Sequence, residues 1–298
     1  MHPCSNSNFN VRSTIEHQHN TYTFNRCNIC GYIETKPEKP VEVDIYETGH
    51  YEVKPFFIVP FLINLPDYLY IWVILISRGV GVKSRVLDFG CGKGFFLLLL
   101  KKLGFRDLFG VETSISRARY AADLTKINIS SEYYTSGEIM GHTYDCITML
   151  HVLEHIPRPF EFLPLFINNT LNLGGKLFVE IPNINSTASK WAGSTWAHFT
   201  PHFHVNHFTP ESLISFCNAN NFNYEFVGTF SFYNSAMGMT SALLSFFGYR
   251  GSIFEDLKNK RITVIMSFLM LLPITIFLEI ILSLFAKKGS VIKFIIRK

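Results

Sequence analysis

The stretch Val86-Leu87-Asp88-Phe89-Gly90-Cys91-Gly92-Lys93-Gly94 constrains the fold more than any other part of the chain. The apolar run 85–89 predicts a buried strand, and the apolar run 95–100 predicts a helix. Between them lies a turn with glycines at alternate positions. Glycine serves where backbone must turn tightly or approach a ligand closely. A helix N-terminus beyond such a turn offers free N–H groups to a polar ligand. Nucleotide-like cofactors bind at strand-to-helix turns of this kind in parallel sheets. Asp88 stands before the first glycine, where a carboxylate can meet a positively charged or hydroxyl-rich cofactor. A dinucleotide site would carry G-x-G-x-x-G. Here the third glycine, Gly94, comes one residue early, and Phe95 fills the expected place. The bland alternative is an ordinary tight turn, so the neighbouring sequence must decide.

From this turn onward strand and helix patterns alternate. Strands are expected at 85–89, 107–112, 130–134, 144–150 and 175–181, and helices at 94–103, 114–126 and 159–171. Asn172-Leu173-Gly174-Gly175 is a helix stop. An irregular loop rich in His, Trp and Phe covers 183–209, followed by a helix at 210–220 and a strand at 223–230. The alternation predicts an α/β fold, a doubly wound and mostly parallel sheet with helices on both faces. The expected division is an N-terminal segment, 1–50; a core, 51–230; an apolar helical insertion, 231–289; and a last core strand, 290–298. The first segment is polar and lacks periodicity, and 56–76 is apolar but broken by Pro60, Asn64, Pro66 and Asp67.

Composition excludes some classes. A net charge of +4, with no basic stripe interleaved with aromatics, argues against nucleic acid. Six scattered cysteines form no disulfide framework and suit a reducing compartment. The polar N-terminus has no signal-peptide core. A cytoplasmic protein is expected.

The acid Glu112 falls at the end of the second strand, where a carboxylate can take both ribose hydroxyls of a nucleoside. A surface glutamate is the alternative. Asp88, Gly90, Gly92 and Gly94 form D-x-G-x-G-x-G, which resembles the first motif of class I S-adenosylmethionine (SAM)-dependent methyltransferases. Tyr144-Asp145, the apolar run behind it and His151-Val152-Leu153-Glu154-His155-Ile156-Pro157-Arg158-Pro159 are similar to the fourth motif of the small-molecule members. Leu173-Gly174-Gly175 resembles their P-G-G strand, with Leu173 in place of proline. The loop from Trp196 through Pro201, His204 and His207 to Thr209 resembles one found in a bacterial subgroup met in glycan-modification gene sets. The resemblance implies a seven-stranded Rossmann-like sheet with SAM as cofactor. Asp88, Phe89, Gly90, Cys91, Gly92 and Gly94 would surround its amino acid part. Glu112 would hold the ribose, Glu138 would flank the adenine, and Met149 and Leu150 would pass under the cofactor. The implied acceptor is a small or lipid-linked polar molecule, a sugar or glycan. A quinone or lipophilic phenol is the alternative, and a non-catalytic SAM-binding scaffold a third.

Methyl transfer is an in-line displacement that gains from holding nucleophile and methyl at close range. An oxygen nucleophile also gains from a base with a pKa near neutrality. The histidines His151, His155, His198, His202, His204 and His207 gather where that base is expected. His151 and His204 lead as catalytic candidates, with His207 beside them, and His155 braces the strand-to-helix turn. For each ring the alternative is a structural hydrogen bond or packing against aromatics. Ubiquinone-pathway O-methyltransferases carry E-x-x-E-H here, which implies a divalent cation. This chain has His151 in place of the first acid, then Glu154 and His155. Imidazole suits zinc or iron more than magnesium. Cys27-x-x-Cys30-Gly31 is half of a zinc knuckle, and four ligands would need Cys4 with His2, His17 or His19. A Cys3His site on Cys4, Cys27 and Cys30 and a metal-free remnant both stay open.

The run 262–286 is apolar, with Glu279 as its single charge and Pro273 as an interruption. A bilayer span takes roughly 20 apolar residues, so length permits one. Class I methyltransferases end in a strand inserted antiparallel to its neighbour, and 290–297 fits that strand. A single span would strand it on the far side, and a two-pass hairpin needs roughly 40 apolar residues. The expectation is therefore a segment lying on or dipping into one leaflet, with Lys287, Lys288, Lys293 and Arg297 near the headgroups. A buried layer or dimer contact is the alternative. A single span remains if the tail is not the last strand.

Overall fold

A computed structural model describes residues 9–17, 20–37, 58–132, 134 and 139–298. The chain opens with β1 (Phe9–His17), β2 (Asn20–Cys27), β3 (Ile33–Pro37) and α1 (Ile58–Ile76). Next come β4 (Arg85–Phe89), α2 (Phe95–Lys102), β5 (Asp107–Val111), α3 (Ile115–Thr125), β6 (Asn128–Ser130), β7 (Tyr144–Leu150), α4 (Pro159–Thr170) and β8 (Leu171–Pro182). Then follow α5 (Thr187–Ala192), β9 (Asn206–His207), α6 (Pro210–Asn220), β10 (Asn223–Gly228), α7 (Phe232–Phe246), α8 (Ile253–Lys258), α9 (Ile262–Ile281) and β11 (Val291–Arg297).

The main sheet has seven strands in the order β10-β11-β8-β7-β4-β5-β6. β4 to β8 run parallel, while β11 lies antiparallel between β8 and β10. This is the doubly wound α/β fold that the strand-helix alternation predicts. Both faces are covered, so the central strands are apolar on both sides. Leu87 and Ile147 pack with Leu163, Phe166, Leu213 and Phe216 of α4 and α6 on one face. Val86 and Cys146 pack with Ile71, Phe96 and Leu100 of α1 and α2 on the other. Strand order reverses beside β4: β5 and β6 lie to one side, β7 and β8 to the other. The crevice at the carboxyl ends of β4 and β7 is the ligand position of such sheets.

The structure departs from the sequence expectations in three places. Residues 9–17 and 20–37 form an antiparallel meander that pairs through β3 with β9. Tyr22 and Phe24, alternating with polar neighbours, bury one face of β2 against Trp196, Phe199 and Met239. Next, α1 runs through Pro66 as one helix despite its breakers. Packing of Ile71, Ile74 and Leu75 on the sheet outweighs the lost backbone hydrogen bond. The third parallel strand sits at 128–130 rather than 130–134. The expected last strand is present as β11, Val291–Arg297, with Phe294 opposite Val179. That removes the single-span alternative for α9, whose two ends are both tied to this one domain.

Candidate active site

The glycine turn is built on β5. The N–H groups of Gly90 and Cys91 both donate to the Val111 carbonyl, at 2.7 and 2.9 Å. Gly90 has φ 80°, and a Cβ there would lie 2.4 Å from Val152 Cγ2. Gly92 has φ 55°, and its Cβ would lie 2.7 Å from Arg117 Nη2. Positive φ and close approach together demand glycine at both. Beside the turn opens a cavity of about 360 Å³. Asp88, Gly90, Cys91, Gly92 and Lys93 form one wall, and Asn64, Asp67, Tyr68 and Ile71 of α1 another. Arg117, Leu150, His151, Glu180 and Asn234 complete the polar side.

Asp88 is buried and accepts a hydrogen bond from Thr148 Oγ1 at 2.7 Å. Burial pushes its carboxyl up to about 7 against that bond, and nearby Glu112 adds to the rise. Glu112, also buried, accepts from Ser114 N–H at 3.0 Å and pairs with Arg117 at 3.5 Å.

His151 has φ 56°, a left-handed conformation uncommon for a histidine. The turn aims its ring between two carboxylates, Nδ1 at 3.3 Å from Glu154 and Nε2 at 3.3 Å from Glu180. The Asn234 amide lies 2.9 Å from Nε2. Burial works against the charged ring, but hydrogen bonds and charge from Glu154 and Glu180 prevail and hold its pKa up to about 10. Glu180 is also buried, yet Lys293, with which it forms an ion pair, and His151 hold it down to about 2. The two carboxylates favour the protonated ring, the form that donates hydrogen bonds rather than accepting a proton.

The other histidines sit elsewhere. His207 lies 2.8 Å from Thr35 Oγ1 and stacks on Phe199; burial lowers it to about 4. It is absent from the cavity wall, because β9 draws it into the second sheet. His204 donates from Nδ1 to the His198 carbonyl at 2.8 Å, and burial holds it well below its ordinary value. It faces His155, whose Nδ1 donates to the Phe203 carbonyl at 2.9 Å. Ligand atoms of Glu154, His155 and His204 lie within 4.8 Å of one another. Both Glu154 oxygens are buried, with His151 Nδ1 3.3 Å from Oε1. Carbonyls on the Nδ1 atoms leave each Nε2 as a lone pair, as metal-ligating histidines require. The set fits a divalent cation with three protein ligands. Cys27 and Cys30, in contrast, are buried in the apolar core, and among the described residues no ligand cluster contains them. Cys4, His2 and His19 lie outside the described residues.

Of the residues expected at the cofactor, Asp88, Gly90, Cys91, Gly92 and Leu150 line the cavity. Phe89 points into the core against Phe162 and Phe166, and Met149 is also core. Gly94 caps α2, where a Cβ would touch Ala121. Glu112 stands behind Arg117, and Glu138 lies outside the described residues. Missed were Asp67, Glu180, Asn234 and Arg117; Lys293, expected near the headgroups, is instead buried and paired with Glu180, because its strand lies inside the sheet. Asp67 and Glu180 each stood as a lone acid in an apolar run, a readable signal. Asn234 carried none.

A family model described as a methyltransferase domain matches residues 75–226. Among curated proteins, the ribosomal protein L11 methyltransferase of Cupriavidus pinatubonensis is 25% identical over 35% of this chain and 34% of its own length. The ubiquinone biosynthesis O-methyltransferase of Vibrio cholerae is 29% identical over 34% of this chain and 43% of its own. The chain thus matches less than half the length of these relatives. Among solved structures, the methyltransferase domain of bacterial CtHen1 is 17% identical with TM-score 0.47, covering 79% of this chain and all of that one. The plantazolicin methyltransferase BpumL with SAH is 16% identical with TM-score 0.49, covering 80% and 85%.

Proposed function

The chain belongs to the methyltransferase-domain family, and from that membership we propose that it transfers a methyl group from SAM to a small polar acceptor. The acceptor in this reading is a sugar or a lipid-linked glycan at the cytoplasmic face of a membrane. One observation carries the reading: a cavity at the carboxyl ends of β4 and β7 whose wall is the glycine turn and buried Asp88.

The residues fit the cofactor. The backbone of Gly90 and Gly92 reaches the cavity wall, and Asp88 offers a carboxylate there to a cationic ligand. SAM supplies an electrophilic methyl on a sulfonium. Gly90, Gly92 and Asp88 receive its amino acid part, and Glu112 takes the ribose once Arg117 swings aside. Asn64, Asp67, Asn234 and His151 present donors and acceptors suited to sugar hydroxyls. The His151 imidazolium hydrogen-bonds an acceptor oxygen and holds it in line with the methyl. The Asp67 carboxylate, raised by burial and by Glu180, receives the acceptor's proton. Glu154, His155 and His204 are absent from the cavity wall, so a cation on them would act on the site only through His151. Five buried free cysteines among the described residues support a reducing compartment.

A second reading, methylation of a quinone or lipophilic phenol, is favoured by Ile71, Phe95, Phe96 and Leu150 in the cavity wall and by the name of the Vibrio cholerae relative. Incubating membrane and soluble extracts with labelled SAM separates the two. A labelled sugar or glycan supports the first reading and a labelled lipophilic phenol the second. Calorimetry that detects no SAM binding overturns both. His151→Gln is expected to lower kcat about 100-fold while leaving SAM affinity within a few-fold. Unchanged turnover would remove His151 from the mechanism.

A further inference from the structure

We propose that the outward face of α9 docks the protein on an anionic lipid bilayer, with the helix lying in the plane of the interface. The inference deepens the membrane-surface part of the reading above and is independent of its chemistry. α9 is apolar along its whole length, and such helices are ordinarily buried. Here the inner side alone is covered: Val264, Thr275 and Glu279 face inward, and Glu279 accepts from the backbone and hydroxyl of Ser290. Outward, Met266, Met270, Phe277 and Leu284 follow one another at helical spacing and are 61–74% exposed. Phe285 continues the run at 83%. Apolar surface this continuous marks an interaction site.

Charge identifies the occupant. Lys258, Lys260 and Arg261 precede α9, where Glu255 and Asp256 offset part of their charge and Asp256 pairs with Arg261 at 3.3 Å, and Lys287 and Lys288 follow its last turn. Basic residues at both ends of an apolar face match anionic headgroups flanking a shallowly inserted helix. A second copy of the chain fits poorly. Pairing α9 with α9 in either direction sets basic end against basic end. A span is excluded by topology, because α9 leads directly into β11 at the sheet interior. α1 extends the consequence to the site. Asp67 and Tyr68 on one side of it line the cavity, while Leu62 and Val73 on the other are exposed. Docking would hold the cavity close to a lipid-linked acceptor.

The test is flotation of the full chain with vesicles of phosphatidylcholine alone and of phosphatidylcholine with phosphatidylglycerol. Adsorption stronger on the anionic vesicles and weakened by salt is expected. Met270→Glu with Phe277→Glu should lower adsorption at least tenfold. Lys287→Glu with Lys288→Glu should lower adsorption to anionic vesicles about fivefold per lysine. Circular dichroism melts verify folding. Should the glutamates unfold the chain, the lysine pair and Met270→Ser carry the test. No adsorption, or adsorption indifferent to the variants, overturns the proposal. So does a dimer cross-linked through Met270 and Phe277. SAM calorimetry on the same samples separates the two readings. SAM binding without adsorption sinks the docking alone, and adsorption without SAM binding sinks the enzymatic reading alone.

Discussion

At Asp88, burial disfavours the charge, the Thr148 hydroxyl favours it, and the balance lies near 7. In the unfolded chain an aspartate titrates near 3.9. The folded cofactor-free protein therefore binds more protons than the unfolded one between about pH 4 and pH 7. The resulting stability is complete below the unfolded value and is lost as pH rises through about 7. Urea denaturation of the cofactor-free protein should show that decline, and Asp88→Asn should flatten it. A decline unchanged in the variant would assign it to another group. The residue-scale features split by how local they are. Glycine at 90 and 92 is required by the backbone of one turn, so its spacing was readable. The charge on His151 depends on Glu180 and, through it, Lys293, far along the chain. A base and an imidazolium look alike in sequence.

Among the elements, α1 was the hardest to read. Pro60, Asn64, Pro66 and Asp67 are breakers in isolation. In the fold, Pro60 sits in the first turn, where a missing N–H costs little. Asn64 donates to the Pro60 carbonyl at 2.8 Å. Asp67 accepts from the backbone of Phe232 and Tyr233, at 2.6 and 2.8 Å, and so caps α7 from a distant element. Asp67→Ala should cost about 1–2 kcal/mol, seen as a drop of a few degrees in Tm. Asp67→Asn, which keeps an acceptor oxygen, should recover about half. Equal melting of Asp67→Ala and the wild type would refute the cap. The parallel strands, in contrast, were legible to within a few residues, because a buried parallel strand is a short apolar run whatever surrounds it.

Across the whole molecule, the last strand is tied to the site through Lys293, fully buried and paired with Glu180 on β8. Removing one partner of a buried pair leaves the other uncompensated. Lys293→Met should destabilise by about 3 kcal/mol, and adding Glu180→Gln should restore much of the loss. Additive losses in urea denaturation would rule the coupling out. The same strand decides the fate of α9. An apolar run of this length reads equally as a span or as a surface helix, and hydropathy cannot distinguish them. Insertion of β11 between β8 and β10 returns the chain to the domain and leaves the apolar face outward. By itself the sequence determined the strand-helix alternation, the glycine turn and the family resemblance, because periodicity and backbone conformation are local properties. Only the tertiary structure decided which histidine is charged, which helix walls the cavity and which side of α9 stays uncovered. Those outcomes depend on contacts between residues remote in the chain, where burial and neighbouring charge act together.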